Sequence, residues 1–202
     1  MPRLYVETNL LVGIALGREL AVDALLPRGD ATPQVWVPAV CFLECVVFLD
    51  GERGRRDAFD GSLGLQITQL ERDATSPAAS QLGSSLREAR LHNKTLTSAI
   101  DARGMAAVEQ LAARAGIIDL SPSILSANRL SALVRGRADN LILHCILDHA
   151  RSTPGTGRQA FASDNHKDFG RAEVRAALEA ADVRYFPKTA DAVGWLVEPA
   201  DA

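Results

Sequence analysis

The residues in this chain best suited to chemistry are carboxylates at the edges of apolar segments far apart in sequence. Glu7 closes Leu4-Tyr5-Val6. Glu44 sits within the apolar run 40–49, and Asp139 opens the run 141–147. Asp164 and Asp168 follow residues 159–163. A carboxylate inside or beside a buried segment is costly unless it is paired, hydrogen-bonded or bound to a cation. Several held close together raise one another's pKa, and a hard divalent cation resolves that conflict. Carboxylate, amide oxygen and water select Mg2+ or Mn2+ over zinc. Such sites activate water and neutralise the charge that develops on a phosphodiester, often with two ions about 3.5–4 Å apart. The plainer alternatives are local. Glu7 and Asp139 suit helix N-termini, Asp164 and Asp168 suit helix caps, and Glu44 suits a buried pair with arginine.

These acids can meet only if the elements carrying them share a frame. Residues 3–6 read as a short buried strand, with Thr8 as the N-cap of the next helix. Leu10, Leu11, Ile14, Ala15, Val22, Leu25 and Leu26 mark that helix's apolar face, and Pro27, Gly29 and Pro33 break it. Residues 35–37 form a second strand, and Pro38 starts a helix expected to end near Asp50. The alternation of strand and helix predicts an α/β fold with a central parallel sheet in three layers. Residues 51–114 are helical and more polar, and read as an insertion of two or three helices. A short extended segment spans 117–120, and Pro122 starts a further helix. Another follows Gly136 and carries Asp139. Residues 159–162 and 183–186 are late strands, with a largely helical stretch at 167–181 between them. In such sheets ligands bind beyond the carboxyl ends of the strands, which places Glu7 with Asp164, Asn165 and Asp168 on one edge.

The chain has 202 residues, 47% hydrophobic and 5% aromatic. That supports a single domain, 1–202, whose core is built from Leu, Val, Ile and Ala. The net charge of −3 excludes a polybasic nucleic-acid binder, though not a nuclease, whose site adds negative charge of its own. Cys41, Cys45 and Cys145 lie in apolar runs and read as reduced, packed thiols. Their spacing does not argue for zinc. No apolar stretch reaches the ~18–20 residues of a membrane span, and the N-terminus leads straight into a strand, so a cytoplasmic protein is expected. His144 and His149 read as satisfied core or surface groups, and His166 as exposed. Arg129, Arg135 and Arg137 cluster just before Asp139, where Arg135 and Arg137 could position an RNA phosphate. No GxGxxG or P-loop motif supports dinucleotide or ATP chemistry.

Taken together, Val6-Glu7-Thr8-Asn9, Val37-Pro38 leading to Glu44, Ala138-Asp139-Asn140-Leu141-Ile142-Leu143 and Ser163-Asp164-Asn165-His166-Lys167-Asp168-Phe169 resemble a PIN-domain protein. That superfamily includes the VapC-type toxin ribonucleases. The resemblance covers the start, the second strand–helix unit and the last third; residues 51–114 have no counterpart in a minimal PIN domain. It implies a Mg2+- or Mn2+-dependent endoribonuclease with Glu7, Glu44, Asp139 and Asp168 as catalytic acids. Asp164 or Asn165 would complete the metal shell, and Thr8 and Asn9 would orient it. It further implies hydrolysis of RNA to a 5′-phosphate and a 3′-hydroxyl, and an antitoxin protein as partner if the chain is a toxin; a homodimer is expected separately, with residues 120–133 and the helical insertion as candidate dimer surfaces. There are two departures from the family pattern. Glu7 stands where the family has Asp, and its extra methylene moves the carboxylate by roughly an ångström, a displacement that can cost ~100-fold in rate. Asn165, rather than Asp164, falls at the fourth acidic position. The alternatives are a PIN-fold binding or assembly module with an impaired site, and a metal-dependent phosphatase of Rossmann-like build.

Overall fold

A computed structural model describes residues 1–19, 22, 33–73, 75–153 and 157–198. Its frame is a five-stranded parallel sheet of order β3-β2-β1-β4-β5, formed by β1 (Arg3–Val6), β2 (Gln34–Pro38), β3 (Gly116–Ile118), β4 (Gln159–Ala162) and β5 (Val183–Phe186). The α/β class and parallel sheet read from the sequence are present. The helices are α1 (Thr8–Ala15), α2 (Ala39–Leu70), α3 (Pro77–Arg114), α4 (Pro122–Leu130), α5 (Arg137–Ser152), α6 (Ala172–Glu179) and α7 (Thr189–Val197). No described helix is long and apolar enough to cross a membrane.

Strand alternation sends side chains to both faces of the sheet. Leu4, Val6 and Val35 line one small apolar cavity together with Leu10 of α1, Leu111 of α3 and Thr189 of α7. On the other face the Tyr5 hydroxyl bonds His149 Nδ1 of α5 at 3.0 Å and Gln159 Oε1 at 3.1 Å, and Trp36 lies against the same imidazole. His149 is therefore a satisfied core group, and so is His144, whose Nε2 lies 2.9 Å from Ser131 O. The three cysteines are free and buried, as expected.

Several boundaries differ from expectation. Glu7, not Thr8, is the N-cap of α1, because its side chain reaches the backbone N–H of Asn9. The expected stop near Asp50 is absent, and α2 continues to Leu70. Gly51 and Gly54 within it meet only solvent or the Arg55 side chain, so nothing there forces a turn. α2 and α3 run antiparallel, joined by Arg53–Asp101 at 2.7 Å, Arg90–Asp60 at 2.8 Å and Arg87–Glu71 at 2.9 Å. The last turns of α3 belong to the core: Ile100, Ala107 and Leu111 are buried, and Arg103 Nε donates to Ala15 O at 3.0 Å. The helix expected over 167–181 is shorter, since a chain of turns spans 164–170 before α6. The helix α7 had no sequence expectation. Leu25, Leu26, Pro27 and Gly29 lie outside the described residues.

Gly116 pairs in register with Trp36 across β2 and β3. A Cβ there would stand 2.4 Å from the Trp36 ring. Gly116→Ala is accordingly expected to destabilise the fold by about 1–3 kcal/mol through overpacking, read as a lower urea midpoint with an unchanged slope. An unaltered midpoint would show that the indole has room to move.

Candidate active site

The connections from β1 and β4 leave in opposite directions, so the gap beyond their carboxyl ends is the topological switch point of the sheet. Val6 pairs with Ala162 in register. The next residue on each strand is therefore a neighbour of the other, and Ser163 Oγ donates to Glu7 Oε1 at 2.8 Å. The second carboxylate oxygen of Glu7 accepts from the Asn9 backbone N–H at 2.8 Å. Glu7 is only 2% exposed. Burial pushes its carboxyl up to about 7; Asp139 and Asp164 add to the rise, and the Asn9 and Ser163 hydrogen bonds oppose it.

Asp139 stands in the first turn of α5, half-buried. Burial raises its pKa, and the charges of Asp168 and Glu44 raise it further. Asp139 is thus the acid through which the group is connected: it is felt by Glu7, and it feels Asp168 and Glu44. Glu44, in the second turn of α2, accepts a hydrogen bond from Thr8 Oγ1. Asp168 Oδ2 accepts from Asn165 Nδ2 at 3.1 Å, while the Asn165 backbone N–H donates to Ser163 Oγ at 3.1 Å. Asp164 is exposed and faces the Glu7 side of the group, where it raises the pKa of Glu7, Glu19 and Tyr185. Asp164 and Asn165 thereby have different surroundings, one open and one tied to Asp168.

Thr8 acts through its side chain on Glu44, and Asn9 through its backbone amide on Glu7. Three residues near the group have no role in the sequence reading, although Ser163 opens one of its motifs. Glu19, just past α1, has its pKa raised by burial and then by Asp164. Ser163 links Glu7 to the turn after β4. The Tyr185 hydroxyl donates to Ser163 O at 2.8 Å. The signal for the last two was the strand register, which brings 163 and 185 to the same end of the sheet.

Comparison with family models, with curated proteins and with solved structures finds no match. The chemistry is read from the atoms themselves. Among the described residues none of Glu7, Glu44, Asp139, Asp164 or Asp168 forms an ion pair with Lys or Arg. The expected buried Glu44–arginine pair is not present there. Also among the described residues, no three His, Cys, Asp or Glu side chains are grouped tightly enough to hold a metal ion. The residues therefore suit a hard cation by donor type and by uncompensated charge, while the side chains as they stand do not enclose one.

Arg129, Arg135 and Arg137 line a cavity of about 530 Å³ at the start of α5. Asn140, buried one residue after Asp139, holds the loop that carries Arg135. Its Oδ1 accepts from the N–H groups of Leu133 and Val134 at 2.9 and 3.0 Å, and its Nδ2 donates to Ser131 O at 2.9 Å and Asn128 Oδ1 at 2.6 Å. One side chain thus couples the basic cavity to the helix start that bears the central acid.

Proposed function

We propose that this chain is a metal-dependent endoribonuclease of PIN-like fold. The observation that carries the reading is the gathering of carboxylates without a cationic partner at the switch point of a parallel sheet, with Asp139 at its centre. Asp139, Glu44 and Asp168 would hold Mg2+ or Mn2+, with Asp164 completing the donors and Glu7 behind them. A bound divalent ion supplies Lewis acidity and neutralises charge at the phosphodiester. The chain's own groups do the positioning. Thr8 fixes Glu44, Asn165 fixes Asp168, and Ser163 with the Asn9 amide fixes Glu7. Arg135 and Arg137, with Arg129, contact RNA phosphates on the α5 side and set the strand's register without reading its bases. The exposed Leu120, Leu125 and Leu130 support self-association, and a toxin role would add an antitoxin partner.

The test is cleavage of single-stranded RNA with Mn2+ or Mg2+, stopped by EDTA and restored by added metal. Cleavage that ignores EDTA would overturn the metal-dependent reading. A second reading has its own observation. Both Glu7 oxygens are engaged in capping α1 and tying β1 to β4, as in a binding module that keeps the fold and has lost catalysis. RNA binding without metal-dependent cleavage would select it.

A further inference from the structure

A second basic cavity, also of about 530 Å³, opens on the far side of the acids, beside edge strand β5. His166, Arg175 and Arg184 line it together with Tyr185, and Glu179 is the acid in its wall. We infer that this cavity binds a phosphate of the single-stranded RNA, on the opposite flank from the Arg129–Arg135–Arg137 cavity, so that the strand crosses the acid group between two cationic holds; this rests on the ribonuclease reading.

Four observations carry it. First, the cavity adjoins the site through bonded atoms. Tyr185 is in its wall and donates to Ser163 O, and Ser163 holds Glu7. His166 Nδ1 lies 3.2 Å from Asp164 O. Second, among the described residues neither Arg175 nor Arg184 is in an ion pair, so their charge is available to an anion, opposed in the wall by Glu179. Third, Arg184 is preorganised. Its guanidinium lies 5.2 Å from the Phe186 ring centroid and 5.3 Å from that of Trp195, which limits the conformational freedom lost when a planar fork meets a phosphate. Fourth, the floor is built by close backbone approach. Gly170 N–H donates to His166 O at 3.0 Å, and a Cβ at Gly170 would meet that oxygen at 2.4 Å. Any side chain at position 170 would push the His166 turn out of place.

The experiment is fluorescence anisotropy with a labelled single-stranded RNA in EDTA, where no metal-dependent cut can occur, at several salt concentrations. Wild type is compared with R175Q/R184Q and with the exposed single variant R175E. Affinity should fall about tenfold or more in the double variant, as for lost charge-assisted phosphate contacts. The slope of log affinity against log salt should shrink by about one to two. R175E, on an exposed helix position, should weaken binding at an unchanged melting temperature. Equal affinity and slope in all three proteins would overturn the proposal while leaving Mn2+-dependent cleavage by wild type to stand on its own. Conversely, arginine-dependent binding by a wild type that does not cut would sustain the subsite and refute the nuclease. Adenosine monophosphate and inorganic phosphate serve as competitors. Competition only far above the RNA concentration supports a strand phosphate, and a mononucleotide that binds as tightly as the RNA would overturn that assignment.

Discussion

Asp139→Asn is expected to reduce metal-dependent RNA cleavage at least about 100-fold, since loss of a partner that only orients a metal ligand already costs about 10–100-fold, while leaving the metal-free protein folded. The two effects separate because the charge of Asp139 has opposite consequences with and without a cation. In the metal-free chain that charge is half-buried and repelled by Asp168 and Glu44. Its position in the first turn of α5 gives back about 0.3–1 kcal/mol through the helix dipole. Burial and that repulsion raise its pKa, so the charge opposes folding. Asparagine keeps the shape and one acceptor oxygen without the repulsion, so the variant should melt no lower than wild type in EDTA. Added Mn2+ should raise the melting temperature of wild type by mass action and move the variant much less. A variant that cuts RNA at the wild-type rate would remove Asp139 from the centre of the account. One that loses activity together with its cooperative unfolding would assign Asp139 to the fold.

The second large effect is on stability as a function of pH. The Glu7 carboxyl is pushed up to about 7 in the folded chain from an ordinary value of 4.5. At pH values below 4.5 the group is protonated in both states and contributes nothing. Between 4.5 and about 7 the unfolded chain ionises while the folded chain keeps its proton, so folding becomes less favourable as pH rises. Each pH unit across that window costs about 1.4 kcal/mol, or about 3 kcal/mol in all, and Asp139 acts in the same direction. Urea unfolding in EDTA should therefore show stability falling from pH 5 to pH 7.5. In Glu7→Gln most of that slope should vanish. Glutamine cannot present two acceptor oxygens, so the Asn9 N–H loses its cap at a cost of about 1 kcal/mol. At pH 8 the variant should still be the more stable protein by about 2 kcal/mol. Saturating Mg2+ should reverse the trend in wild type, since ligands bind best deprotonated. A flat profile between pH 5 and 8 would mean that the Glu7 carboxylate is better solvated than its burial implies.

Much of the frame could be read from residue order because its cues are local. Residues 3–6, 35–37, 159–162 and 183–186 are short segments rich in aliphatic and aromatic residues, and each is a strand of the parallel sheet. Gly136 and the apolar run behind it put Asp139 in a first helical turn, where it stands. The misses are non-local. Whether α2 stops at Asp50 depends on α3 lying alongside to take up Arg53 and Asp60, which no window of residues reveals. Thr8 and Glu7 are both fit to cap α1. The choice went to Glu7 because β4 delivers Ser163 to its other oxygen, freeing Thr8 to bond Glu44. Glu19 and Tyr185 carry no motif, and only the folded chain brings them within the field of Asp164.

Whether these carboxylates share a hard divalent ion is decided by anomalous diffraction from crystals soaked in Mn2+. A peak is expected within ligand distance of Asp139 and of Glu44 or Asp168, lost in crystals of Asp139→Asn. Crystals of the wild type that show no peak at millimolar Mn2+, or one bound only to acids on the α2–α3 hairpin, would contradict a shared ion.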